Sequence, residues 1–416
     1  MLPIPFASSF VDPAGSAIRE LFPYLSQPGI ISLAGGYPSP GLFDTEGLQE
    51  AAARALSGGG ALQYGATEGT PSLRKALALL CRSRGIERSP SDLIVTTGSQ
   101  QALDLLLRIF IEPDDTVCVE TPAYPAAIQA LRLAKAHIMA APVDGQGLDV
   151  DALAARLALL QVAQRPKLVY TVPTFSNPCG TLLPVTRREA LVRLALEYRF
   201  LIVEDDPYGE LNFTDDRPPS LYAVGERIAG NGNPVLYLSS LSKTVAPALR
   251  IGWLVAPPDV LRRCVVAKQT MDLCTSPLAQ QIAAEYLGAG RYPASVEHAR
   301  IEYKRRMQAM VEGLHAGLGE KIAFVQPQGG MFIWARSTVP MDARHLFEAA
   351  VQCGVLYVPG AAFYPENPDF GTLRLSYAAP DVAQIREGIV RLTKAFAQVG
   401  CALKATPFKV FVPQQP

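Results

Sequence analysis

The segment 239–253, "SSLSKTVAPALRIGW", carries side chains whose types and spacing suit chemistry. Lys243 stands among Ser240, Ser242 and Thr244, just past the apolar run "PVLYLS" (234–239), with Arg250 close behind. An amine in a partly desolvated pocket loses proton affinity, because burial disfavours its charged form. The neutral amine is a nucleophile that can form a Schiff base with an aldehyde. Small hydroxyls and an arginine are donors suited to an anion such as a phosphate.

Other polar groups fall at the ends of other apolar runs. "TTGSQQALDLLL" (96–107) puts Ser99 and Gln100 at a strand-to-helix turn, with Ser99 expected as the helix N-cap. The N–H groups of such a helix start suit a phosphate. "ETPAYPAA" (120–127) presents Tyr124, and "PTFSNPCG" (173–180) presents Asn177. "VEDDPYGEL" (203–211) places Asp205, Asp206 and Tyr208 beyond an apolar strand. Taken singly, these are an ordinary capped turn, a loop aromatic, an Asn-Pro turn and a solvated strand end. Lys243 alone reads as a surface lysine with a buried stem. In order, they supply a phosphate cup, a stacking ring, a donor to a phenolic oxygen, an anion for a pyridinium and an amine.

These groups need a scaffold that delivers strand ends to one place. Six β-rich runs recur between about 90 and 256: 92–98, 116–120, 167–173, 200–206, 235–240 and 250–257. Helical periodicity fills most of the gaps, at 100–110, 124–135 and 186–199. Buried strands alternating with helices predict an α/β domain around a mostly parallel sheet, whose ligands sit at the carboxyl ends of the strands. Residues 277–317 then read as long helices. Strands at 329–336, 354–360 and 372–378, with helices at 341–353 and 380–398, predict a second, α+β domain. Residues 1–44 read as irregular. The expected division is an N-terminal arm at 1–44, a large domain at 45–275 and a small domain at 276–416.

The chain has 416 residues, 49% hydrophobic, ample for a large core. Lys+Arg and Asp+Glu number 38 each, so no basic surplus points to nucleic acid or an anionic membrane. The start lacks the pattern of a signal peptide, and no run reaches the ~18 apolar residues of a spanning helix. Seven scattered cysteines without a CxxC pair, and four histidines far apart in sequence, argue against a disulfide framework or a metal site. The expected compartment is a reducing cytoplasm. There is no GxxxxGK[ST] loop for a nucleoside triphosphate, and "GQGLDV" (145–150) lacks the third glycine of a dinucleotide fingerprint.

From about Ile18 to Ala378 the sequence resembles the class I/II aminotransferases of fold type I, which use pyridoxal phosphate (PLP). "SLAGGYPSP" (32–40), "LQYGATEGTPSLR" (62–74) and "SLSKTVAPALRIGW" are similar to the branch holding 2-aminoadipate and kynurenine aminotransferases. The resemblance implies a large domain with a mostly parallel seven-stranded sheet between helices, a smaller α+β domain and a homodimer. It implies that Lys243 holds PLP as an internal aldimine and shuttles the proton. Asp205, by its spacing to Tyr208, would pair with the pyridine nitrogen. Asn177 and Tyr208 would serve the phenolic oxygen, and Tyr124 the ring face. Ser99, Gln100, Ser240, Ser242 and Arg250 would form the phosphate cup, reached by Tyr64 from the other subunit. Arg374 in "TLRLSYA" would grip the substrate α-carboxylate. Gly36 lies in the entrance segment, and Arg19 matches a residue that meets substrate side chains in that branch, or is an exposed helix charge. The implied reaction moves an amino group from an L-amino acid (2-aminoadipate, aromatic, branched or glutamate-like) to a 2-oxo acid such as 2-oxoglutarate. Two alternatives stand beside it. One is another PLP reaction on this fold, a β-lyase, decarboxylase or synthase. The other is a non-catalytic effector-binding module, against which stands the lack of a helix-turn-helix segment before Arg19.

Overall fold

Strands buried on both faces read as continuous apolar runs, and each of the six runs forms a strand. The computed structural model describes residues 4–7, 10–11, 15, 19–25, 27–214 and 217–405. Parts of the expected arm, Ile18 at the start of the resemblance, Asp215 and Asp216, and the tail 406–416 lie outside the described residues.

The large sheet runs Leu93–Thr97, Ile251–Val255, Val235–Ser240, Leu201–Asp205, Leu168–Thr171, Thr116–Thr121, His137–Asp144, Gly147–Leu148. From Val235–Ser240 across to His137–Asp144 every pair is parallel. Ile251–Val255 runs antiparallel to both neighbours. The sheet therefore has eight strands rather than the expected seven. The extra one is the two-residue Gly147–Leu148, which pairs with the end of His137–Asp144. His137–Asp144 itself was not visible as an apolar run, because burial alternates along it at the sheet margin.

Side chains alternate across the sheet. Ile94, Val119, Tyr170, Val203 and Leu238 join one core, while Val95, Cys118, Val169, Ile202 and Tyr237 join another. The first core continues into the small domain through Phe332, Ile333, Leu373 and Leu375. Full burial of each such aliphatic side chain is worth about 1.5–3 kcal/mol, so both faces are strongly held.

The second sheet is four-stranded and antiparallel: Ile322–Phe324, Phe332–Ser337, Thr372–Ser376, Val358–Pro359. The expected single strand 354–360 is split. Val355–Leu356 pairs in parallel with Ile31–Ser32, and only Val358–Pro359 joins the four-stranded sheet. That short pairing fastens the N-terminal segment and brings Gly35 and Gly36 over the strand ends of the large sheet.

A second fastening lies at Asp44. It caps the helix Thr45–Ser57, accepting the Gly47 N–H at 3.0 Å. It also receives Arg291 Nε at 2.7 Å and Nη2 at 2.9 Å, from the residue before the helix Tyr292–Leu318. The Arg291 hydrogen bonds lower the Asp44 carboxyl to about 2.

Candidate active site

The strand Val235–Ser240 is buried throughout and ends in a single 3-10 turn, Leu241–Lys243. Ser240 Oγ caps that turn by accepting the Ser242 N–H at 3.0 Å, which presents Lys243 at the mouth of the sheet. Lys243 Nζ donates to the Gly36 carbonyl at 2.8 Å. Burial, then the Arg374 and Arg250 charges, lower its amine to about 8, against the opposing pull of Asp205.

The chain returns through the turn Pro247–Leu249 to Arg250, whose left-handed φ of 52° reverses it into Ile251–Val255. Arg250 Nη1 meets Ser242 Oγ and Nη2 meets the Thr97 carbonyl, each at 3.4 Å. The turn before the helix Ser99–Phe110 packs against this arginine. Its N-cap is Gly98 (φ 81°), which corrects the expectation that Ser99 caps the helix. A Cβ at Gly98 would lie 2.3 Å from Arg250 Nη2, and one at Gly252 would lie 2.5 Å from the Ser99 N atom. Only glycine permits that approach, and it leaves Ser99 and Gln100 on the cavity wall beside Ser240, Ser242 and Arg250. The helix N–H groups and Arg250 together make a cradle for a dianion.

Asp205 ends the strand Leu201–Asp205 and lines the same cavity. Its Oδ2 accepts the Tyr170 hydroxyl at 2.7 Å, while Oδ1 is buried with no hydrogen-bond partner among the described residues. Burial raises its carboxyl to about 6, against the Tyr170 hydrogen bond. Asp206 is differently placed. It accepts the Gly209 N–H at 2.9 Å and the Tyr237 hydroxyl at 3.0 Å, so both of its oxygens are engaged by the fold.

Asn177, Tyr208 and Tyr124 line the remaining walls. Burial raises the Tyr208 phenol. Tyr124 is half-buried at the start of the helix Pro125–Leu133, and burial raises its phenol as well. Arg374 arrives from the middle of the small-domain strand Thr372–Ser376. It is fully buried, donates to Asn177 Oδ1 at 2.8 Å and to the Ala34 carbonyl at 2.7 Å, and stacks between Phe332 and Phe363. Its Nε has no partner among the described residues, and burial lowers the guanidinium to about 10.

Gly36 lies on the cavity wall with these groups. Tyr64 does not: it is 79% exposed. Arg19 is exposed outside the lining, close enough for its charge to act on Tyr124. Tyr37, from the same entrance segment as Gly36, lines the cavity too, and Leu21, Pro247 and Tyr170 do so without having been singled out as site residues. For Tyr170 the available signal was a hydroxyl inside an otherwise apolar strand, one strand away from Asp205.

A nucleophilic amine, a cradle for a dianion, a buried arginine and a buried carboxylate thus meet in one cavity, the last two each with an atom that lacks a hydrogen-bond partner among the described residues. Residues 31–392 match the family model described as aminotransferase class I and II. The chain is 39% identical to the aromatic-amino-acid aminotransferase 1 of Thermococcus litoralis, over 94% of each chain. It is also 39% identical to the 2-aminoadipate transaminase of Thermus thermophilus, over 95% of this chain and 98% of the relative. Its structure superposes on the kynurenine aminotransferase of Pyrococcus horikoshii with a TM-score of 0.89 at 38% identity, over 95% of this chain and 97% of that one. The alpha-aminoadipate aminotransferase of Thermus thermophilus, solved with N-(5'-phosphopyridoxyl)-L-leucine, gives 0.86 at 39% identity, over 93% and 96%. The chain belongs to the class I and II aminotransferases and is a PLP-dependent enzyme that transfers an amino group between an amino acid and a 2-oxo acid.

Proposed function

We propose that Lys243 is the amine of this transamination, that Asp205 meets the cofactor's ring nitrogen and that Arg374 binds the substrate carboxylate. The observation that carries the reading is Asp205 Oδ1, buried without a hydrogen-bond partner among the described residues, in the cavity that also holds Lys243 and Arg374. A buried acceptor without a donor suits the protonated ring nitrogen of PLP. PLP, when bound, supplies an electrophilic aldehyde and a ring able to accept electrons from the substrate's Cα.

The chain's own residues do the rest. Ser99, Gln100, Ser240, Ser242 and Arg250 would hold the phosphate, with Tyr64 of a second subunit closing the cup. Tyr124 would cover one ring face, and Asn177 and Tyr208 would serve the phenolic oxygen. Arg374 takes the α-carboxylate in a two-pronged grip, aided by its free Nε. That grip fixes the substrate so that its Cα proton faces Lys243. The Lys243 amine, lowered to about 8, is neutral in a larger fraction near neutral pH than an ordinary lysine, so it accepts the Cα proton and would hand it to the cofactor carbon that bore the aldehyde.

In this reading an N-terminal arm, a large domain and a small domain divide near 44 and 275; a large sheet confined to 93–255 and a four-stranded sheet confined to 322–376 support it. The 79% exposure of Tyr64 supports a homodimer in which that side chain is covered by the partner. Six free cysteines among the described residues suit a reducing compartment, in keeping with a cytoplasmic enzyme. Among the described residues, no helix is long and apolar enough to cross a membrane.

Leu21, Tyr37 and Gly36 at the entrance, with Arg19 outside it, favour amino donors with aromatic or branched side chains, and longer acidic ones such as 2-aminoadipate or glutamate where Arg19 meets the distal carboxylate. The amino acceptor is 2-oxoglutarate. The test is the visible absorbance of the holoenzyme during addition of single amino acids without an oxo acid. Conversion to the pyridoxamine form by aromatic, branched, glutamate or 2-aminoadipate donors is expected, and their rates rank the substrates. An unchanged band with all of them, or decay with release of ammonia, pyruvate or carbon dioxide, would overturn the reading.

A further inference from the structure

Tyr170 sits in the strand Leu168–Thr171, in parallel register with Leu201–Asp205, where it lies opposite Val203. Alternation puts Tyr170, Val203 and Asp205 on one face of the sheet, with Asp205 diagonal to Tyr170. The Tyr170 hydroxyl reaches Asp205 Oδ2 at 2.7 Å in a buried hydrogen bond. Asp205 Oδ1 stays buried and partnerless among the described residues, and both residues line the cavity.

Few other groups face this carboxylate. The Tyr124 and Tyr208 phenols lie near enough to feel its charge, the Lys243 amine acts on it through space, and the Asp206 carboxylate acts from the next position in the chain. Asp206 is tied to Gly209 and Tyr237. Among the described residues, the Tyr170 hydroxyl is the single side-chain donor hydrogen-bonded to Asp205.

We propose that Tyr170 is a positioning residue for the cofactor's ring nitrogen: its hydroxyl fixes Asp205 Oδ2 and thereby leaves Oδ1 as the acceptor for the ring N–H. This inference rests on Asp205 being the ring's partner. The hydrogen bond has a second consequence. Burial raises the carboxyl to about 6, and the Tyr170 bond pulls the other way. Burial and the Asp205 charge raise the Tyr170 phenol well above its ordinary range, so it remains a donor throughout the neutral region. Without that donor, Asp205 takes up its proton at a higher pH. A neutral carboxyl no longer offers an anion to a protonated ring nitrogen.

The experiment measures equilibrium binding of pyridoxamine 5'-phosphate to the apoprotein between pH 6.5 and 8.5, for wild type, Tyr170→Phe, Tyr170→His and Asp205→Ala. This ligand has no aldehyde, so binding is read without the covalent bond to Lys243. Tyr170→Phe is expected to weaken binding roughly threefold at the alkaline end and roughly tenfold or more at the acidic end. Tyr170→His restores a ring donor and is expected to recover part of the loss at pH 6.5. Asp205→Ala is expected to weaken binding across the range. Melting of the apoproteins checks that each variant folds. If Asp205→Ala binds as wild type does, the Asp205 reading itself falls. If Asp205→Ala weakens binding while Tyr170→Phe shows no loss, or the same loss at every pH, Tyr170 has no positioning role and the Asp205 reading stands. Tyr170→His behaving as Tyr170→Phe does at pH 6.5 would likewise overturn the role of the hydrogen bond; if Tyr170→Phe does not fold, Tyr170→His binding as weakly as Asp205→Ala at pH 6.5 overturns it instead.

Discussion

Asp205 in the cavity and Asp44 at the start of the helix Thr45–Ser57 are both acids near cations, yet they titrate in opposite directions. Burial raises Asp205 to about 6, whereas the Arg291 hydrogen bonds lower Asp44 to about 2. Asp44 accepts the Gly47 N–H and two Arg291 nitrogens, with the Tyr286 hydroxyl at 3.3 Å. Asp205 has one oxygen bonded and one without a partner among the described residues. The cations differ in the same way. Lys243 is lowered to about 8 and Arg374 to about 10, burial being the leading cause for both. In the clasp, charge is met within the fold. In the cavity it is held against desolvation, awaiting the phosphate, ring nitrogen and carboxylate of ligands. Replacing cavity residues should therefore damage function more than folding, and replacing the clasp should do the reverse.

The largest effect is expected at Lys243. Lys243→Ala removes both the covalent anchor and the proton acceptor, so turnover should fall on the order of a thousandfold or more. The variant also removes a buried amine whose charged form is disfavoured, so the apoprotein's melting temperature should hold or rise. Steady-state assays and melting of the apoprotein read the two halves separately. Retained turnover would break the comparison at its strongest point.

Arg374→Ala comes next. It removes the charge-assisted grip on the carboxylate, and KM for most amino acids should rise roughly 10–100-fold. Arg374 spans Asn177, Ala34 and two aromatic rings, so some loss of kcat should follow as Asn177 loosens. An unchanged KM would place the carboxylate elsewhere.

Much of this site could be read in the chain, for a physical reason. Lys243, Asp205 and Ser99 lie within three residues of the ends of strands that are buried almost throughout and begin as apolar runs, and such strands announce themselves by composition. The choice between Asp205 and Asp206 rested on spacing alone. The structure adds a cause, since Tyr237 on the other face already engages Asp206. What stayed hidden are contacts that only the fold creates. Arg374 and Asn177 are 197 positions apart, and Tyr170 and Asp205 are 35 apart on neighbouring strands. A tyrosine inside "KLVYTVP" has nothing nearby in sequence to reveal its partner. His137–Asp144 escaped because a strand at the margin of a sheet need not be apolar throughout. The Asp44–Arg291 clasp joins residues 247 apart and left no local pattern beyond a capping aspartate.

The smallest effect tests the other side of the comparison. Asp44→Asn keeps a side chain able to cap the helix Thr45–Ser57 but removes the charge that Arg291 meets. Turnover should stay near wild type, while the melting temperature falls by a few degrees, in keeping with about 1 kcal/mol in a large chain. The pH dependence carries the sharper information. A carboxyl whose folded value lies below its unfolded one contributes stability above the unfolded value and loses it as pH falls through the folded one. Asp44 moves from 3.8 to about 2, so the gap between wild type and Asp44→Asn should be constant above about pH 5 and shrink between about pH 4 and pH 2. Asp205 has the opposite sign. Its folded value of about 6 lies above its unfolded 3.8, so Asp205→Asn should relieve the apoprotein of a desolvated charge above about pH 6 and bring no gain below about pH 4. Two aspartates in one chain would then show stability differences of opposite direction, read by the same denaturant titrations across pH. A parallel response from both would mean that the cavity carboxylate is as well satisfied as the clasp, and the division of labour between them would not hold.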